Sequence, residues 1–75
     1  SMSAEIAPES EFVGKLWQEA RQKLNAQLVM LERIDNDGGV QTLSENEIDT
    51  LEAGDRIYLI LEIDEVSKVE DLLRS

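Results

Sequence analysis

The densest chemistry in this sequence is carboxylate. Glu45, Glu47, Asp49, Glu52 and Asp55 fall within one short stretch. In an extended backbone Glu45, Glu47 and Asp49 share a side, because side chains alternate with period two. Three carboxylates on one side offer oxygen ligands suited to a hard divalent cation, so these three are the candidate metal residues. The competing reading is a solvated acidic face. A second acidic run, Asp35-Asn36-Asp37-Gly38, invites comparison with a calcium loop. Placing Gly38 at the sixth position of such a loop puts Arg33 at the first and Ser44 at the twelfth. Both positions require acidic residues. The run is instead expected to be a tight turn, because Asn, Asp and Gly tolerate positive φ.

The residue types that are missing exclude several function classes. The chain has 75 residues, 7 Lys+Arg, 17 Asp+Glu, no His and no Cys, for a net charge of -10. Without His or Cys there is no Ser-His-Asp or Cys-His nucleophile system, no thiol redox motif, no disulfide and no ordinary zinc site. Acid–base work would fall to carboxylates, Lys15, Lys23, Lys68 or Tyr58, and nothing groups these around a nucleophile. The chain is expected to be non-catalytic. The acidic balance opposes nucleic acid and anionic membrane surfaces, which need basic residues to displace counterions. No apolar run approaches the roughly 20 residues that span a bilayer, so no direct membrane insertion is expected. Ser1 before Met2 has the form of a tag-cleavage scar, so residues 1–3 are set aside as scar or disordered start. Residues 4–75 form one domain, expected to be a piece of something larger.

The elements that position these residues follow from periodicity and punctuation. Ala4 to Ala7 reads as a short strand ended by Pro8, which biases Ala7 towards the extended region. Ser10 is the expected N-cap of a helix with Glu11 in its first turn. Val13, Leu16, Trp17, Ala20 and Leu24 form its apolar stripe, with Trp17 a core anchor. Gln18, Glu19, Arg21, Gln22 and Lys23 fill its wet face, and Asn25 is the C-terminal cap. Residues 27–34 form a strand with Leu28, Met30, Glu32 and Ile34 on one side and Val29, Leu31 and Arg33 on the other. Residues 35–39 turn into a return strand at 40–43. Ser44 and Glu47 have capping-box spacing. After a turn at 50–55, residues 56–63 form a strand with Ile57, Leu59, Leu61 and Ile63 on one face. Arg56, Tyr58, Ile60 and Glu62 form the other. That second face is partly apolar, which suggests an internal strand buried under a helix or one covered by a partner, the latter a dimer seam around Tyr58 and Ile60. Asp64 caps a closing helix with Val66, Val69, Leu72 and Leu73 inward and Arg74 at its negative end. The fold class is α+β: strand-helix-strand-strand-strand-helix, with a mixed or antiparallel sheet and helices packed on it.

The order of these pieces resembles a known family. Pro8-Glu9-Ser10-Glu11-Phe12-Val13-Gly14-Lys15-Leu16, then Leu28-Val29-Met30-Leu31-Glu32-Arg33, then Thr50-Leu51-Glu52-Ala53-Gly54-Asp55-Arg56-Ile57-Tyr58-Leu59-Ile60 together look like the TrkA C-terminal domain, also called the RCK C-terminal domain. The resemblance runs from about Glu5 to Leu73. It carries the proline-x-serine-x-x-x-glycine-lysine motif and the leucine-x-x-glycine-aspartate turn of that family. The sequence departs from the family between residues 40 and 50, which lack its usual proline and are a few residues longer. Ser10, Gly14, Gly54 and Asp55 are the motif residues, and their expected roles are structural. Ser10 caps, Gly14 permits close packing of helix on sheet, Gly54 supplies positive φ, and Asp55 bonds local amides.

The resemblance implies a cytoplasmic regulatory module that dimerises and couples a ligand to a potassium or other ion transporter or channel subunit. Some such domains bind cyclic di-AMP at the dimer interface, and some related ones bind divalent cations. A cyclic dinucleotide has two phosphates that call for Arg, Lys or free amides. Arg33, Arg56 and Lys15 are the candidate cations, with Tyr58 and Ile60 as the apolar part of the pocket. The net charge of -10 works against any anionic ligand at long range. An alternative is an acidic, ubiquitin-like protein-interaction module, which would place its hairpin ahead of its helix.

Overall fold

A computed structural model describes residues 1–74. Its elements in chain order are β1 (Met2–Glu5), α1 (Trp17–Leu24), β2 (Gln27–Ile34), β3 (Val40–Leu43), β4 (Arg56–Ile60) and α2 (Val66–Arg74). Single 3-10 turns occupy Glu45–Glu47 and Ile63–Glu65. The strands form one sheet in the order β1-β4-β2-β3, with every neighbouring pair antiparallel. The expected α+β class and element sequence are the ones found. A single strand, not a hairpin, precedes α1, so the ubiquitin-like order is absent.

Both helices pack on one face of the sheet. Ala4, Leu31, Ile57 and Leu59 from the strands meet Trp17, Ala20 and Leu24 from α1 and Val69 and Leu73 from α2 in a single core. Trp17 is fully buried, as its place on the apolar stripe predicts. Among the described residues the opposite face of the sheet carries no helix.

α1 is shorter than its apolar spacing suggests. Residues 8–15 form a run of turns, and the helix starts at Trp17. The reason is pairing outside the segment. Gly14 N donates to Leu51 O at 2.7 Å, Leu51 N to Lys15 O at 2.9 Å and Trp17 N to Asp49 O at 3.0 Å. These bonds satisfy backbone groups that a longer helix would use internally. Val13 and Leu16 consequently lie exposed. Gly14 sits at φ +82 with nothing near its missing Cβ, so it serves the turn and not close packing on the sheet.

Ser10 does not cap α1. It is buried, donates from Oγ to Leu72 O at 2.8 Å, and accepts from Phe12 N at 3.3 Å. It thereby ties the turn segment to α2. Asn25 does cap α1: its backbone is left-handed (φ 52, ψ 48) and its N–H reaches Arg21 O.

The 35–39 turn forms as expected. Asp35 Oδ1 accepts from the amides of Asp37 and Gly39, both at 2.9 Å, and Gly38 takes φ +83. Three strand expectations change. β1 covers Met2–Glu5 in place of residues 4–7, because Met2 and Ser3, set aside above, pair with Leu59 and Tyr58 of β4. A bulge at Val29 breaks the alternation of β2, so Leu28 faces the core with Leu31 while Met30, Glu32 and Ile34 take the open face. β4 ends at Ile60, because β1 reaches only to Met2, opposite Leu59, and β2 begins at Gln27, opposite Ile60. With no neighbour left to bond, the chain leaves the sheet, and Ile63 is 89% exposed instead of inward. Asp64 lies inside the following 3-10 turn and does not cap α2.

Candidate functional site

Arg33 and Asp55 form the most enclosed ionic contact among the described residues. Asp55 is 1% exposed and closes the turn before β4. Arg33 Nε donates to Asp55 Oδ1 at 2.9 Å and Nη2 to Oδ2 at 2.8 Å, a two-pronged pairing. The same guanidinium reaches Thr50 O at 3.0 Å and Glu52 Oε2 at 3.1 Å. Asp55 Oδ2 also accepts from Glu52 N at 2.8 Å. Hydrogen bonding to Asp55 raises the Arg33 pKa above its ordinary value. Arg33 is thus committed to holding the 50–55 turn against β2. Gly54, at φ +88, and Asp55 hold the structural places expected of them.

The other sequence-selected residues sit apart from this pair. Arg56 and Tyr58 lie on the open sheet face. Arg56 is 3.4 Å from Ser3 Oγ, and the Tyr58 hydroxyl donates to Glu32 Oε1 at 2.5 Å. That hydrogen bond is the main cause of an upward shift in the Tyr58 pKa. Lys15 lines a shallow groove with Phe12, Ala20 and Lys23, on the helix side of the molecule.

Glu45, Glu47 and Asp49 do not converge. Glu45 Oε2 accepts from the buried Trp17 Nε1 at 2.7 Å and lies 3.6 Å from Arg21 Nη1. Glu47 Oε1 accepts from Ser44 N and Oγ, each at 2.9 Å, and these bonds lower its pKa. Asp49 is exposed and uses its backbone oxygen for Trp17 N. Among the described residues no group of three or more acidic side chains is placed to hold a metal ion. The reason is local: the backbone from 45 to 47 is a 3-10 turn, so the period-two alternation fails there.

A larger concavity lies elsewhere, where α1 hands over to β2. It has a volume of about 550 Å³ and is lined by Arg21, Gln22, Asn25, Ala26, Gln27, Ile60, Leu61 and Glu62. Three local events make it. The left-handed Asn25 stops α1 abruptly, β2 starts within two residues, and β4 peels away after Ile60. Chemically the cleft offers one guanidinium, three carboxamides, an apolar part from Ala26, Ile60 and Leu61, and one carboxylate. Guanidinium and amide donors suit phosphate oxygens, and carboxamides can pair with the edges of a nucleobase. Ile60 connects the cleft to the open sheet face, where Val29, Ile34, Val40 and Ile60 are each more than half exposed.

The sequence matches no family model and no curated protein. The fold does have a counterpart among solved structures: the RCK_C domain dimer of S. agalactiae BusR in complex with c-di-AMP. The two align with a TM-score of 0.71 at 19% identity, over 96% of this chain and 92% of that one. This chain has the RCK C-terminal fold. The resemblance carried by the two glycine motifs and the tertiary structure therefore agree on architecture.

Within this RCK C-terminal fold, Ile60 is the one ligand candidate chosen from sequence that lines the cleft. The other residues that line it, Arg21, Gln22, Asn25, Ala26, Gln27, Leu61 and Glu62, are not singled out as ligand candidates by the sequence. Arg21 and Gln22 look like ordinary wet-face residues of an amphipathic helix. The available signal was Asn25, whose capping of a helix immediately before a strand creates a re-entrant corner.

Proposed function

We propose that this domain is a non-catalytic, dimerising sensor that binds cyclic di-AMP in the α1–β2 cleft. We further propose that it transmits this binding, on the cytoplasmic side, to a potassium or other ion transporter or channel subunit. The observation that carries the reading is the cleft itself, a guanidinium and three carboxamides beside an apolar part. It occurs on a fold shared with a domain whose solved form is a dimer in complex with c-di-AMP. The cleft is open and lined in part by the half-exposed Ile60, which gives a second copy something apolar to cover. A ligand straddling two such clefts would stabilise one dimer arrangement over another, and only that difference in affinity can drive a response. With a net charge of -10, attraction must come from short-range donors, with Arg21 foremost.

Isothermal titration with cyclic di-AMP tests this reading. The expected result is saturable heat at one ligand per two chains. Arg21→Ala should weaken binding by about 10- to 150-fold, the loss of roughly 1.5–3 kcal/mol expected for hydrogen bonds to a charged group. Absence of heat with millimolar ligand would refute it.

A further inference from the structure

Arg21, the sole cation among the described residues that line the cleft, is not free. Its Nη1 lies 3.6 Å from Glu45 Oε2, and that same oxygen accepts from Trp17 Nε1 at 2.7 Å. Trp17 is fully buried, so its indole N–H needs this acceptor and holds the carboxylate in place. Glu45 itself does not line the cleft. The short bond from the buried indole anchors Glu45, while the longer contact to the more exposed Arg21 is the one that can give way. We infer that Glu45 is a built-in competitor for Arg21, so that an anionic ligand must take the guanidinium from this carboxylate to bind. This rests on the cleft being the ligand site. Glu45 is then a positioning residue, and the Glu45–Glu47 turn between β3 and β4 is coupled to cleft occupancy. The Trp17 indole reports the exchange, because Oε2 loses one of its two partners when Arg21 turns to the ligand.

Two measurements test the inference. Glu45→Gln keeps an oxygen acceptor for the indole and removes the charge. It should tighten cyclic di-AMP binding about two- to fivefold, the range set by a partly exposed ion pair. Merely structural damage would weaken binding, so the direction is diagnostic. Affinity unchanged or lowered in a folded Glu45→Gln protein overturns the inference. Separately, the chain has one Trp, so its indole N–H gives one cross-peak in a nitrogen–proton spectrum. In the unliganded protein Arg21→Ala should move that peak, and an unmoved peak also overturns the inference. This second variant changes an exposed side chain and leaves the core intact. If neither wild type nor Glu45→Gln binds the dinucleotide, the cleft reading falls, and with it the competition with ligand. A shifted peak would then show only that Glu45 holds Arg21.

Discussion

Removing the Asp55 carboxylate should be the most damaging single change to a charged residue. Asp55→Ala deletes the acceptor of two Arg33 donors and of the Glu52 amide, all between 2.8 and 2.9 Å. Breaking a buried ion pair from one side costs about 3–5 kcal/mol, because the remaining charge loses its partner. Here the stranded group is Arg33, whose side chain is 20% exposed and keeps Glu52 and Thr50 O as neighbours. Solvent and those neighbours discount the cost to the lower end, about 3 kcal/mol. At about 0.05–0.15 kcal/mol per residue, a chain of this length has a total stability of only ~4–11 kcal/mol. The variant should therefore be marginally folded. Asp55→Asn keeps an oxygen for the Glu52 amide and loses the charge, so it should fall between, at about 1–2 kcal/mol. Urea unfolding at neutral pH, followed by the emission of buried Trp17, measures both. The expected order of midpoints is wild type, then Asn, then Ala. A loss below about 1 kcal/mol in Asp55→Ala, at unchanged slope, would refute the argument that this pair anchors the 50–55 turn.

Two further outcomes follow from the contacts. Ser10→Ala removes the donor to Leu72 O and the acceptor for Phe12 N at a site 5% exposed, and should cost about 1–2 kcal/mol in the same urea assay. An unchanged midpoint would show that this link between the turn segment and α2 contributes nothing. The Tyr58 phenol should titrate above its ordinary value of 10.0 in an ultraviolet absorbance titration, and Glu32→Ala should bring the midpoint down. The sign is that of a raised group: the hydrogen bond contributes fully below pH 10.0 and is lost as pH rises through the folded midpoint. A midpoint at 10.0 or below in the wild type would refute the contact.

What the sequence determined by itself was everything governed by near neighbours along the chain. The Asp35–Gly39 turn, the Asn25 cap, the positive φ of Gly54 and the strand character of 27–34 all depend on residues within a few positions. The α+β class follows from those elements in order. The tertiary structure decided whatever depends on partners far along the chain. α1 begins at Trp17 and not earlier because residues 14–17 bond to residues 49–51. Ser10 serves α2, 62 positions away. β4 ends at Ile60 because its neighbours run out there. The same division explains the site. Arg33 had the chemistry of a phosphate ligand, yet Asp55 reaches it through space first. Arg21 reads as an ordinary helix-surface cation, and only the corner made by α1, β2 and the end of β4 turns it towards a cleft. A hydrogen bond or a cavity is set by distances in space, and the linear order of residues encodes those distances only once the chain has closed on itself.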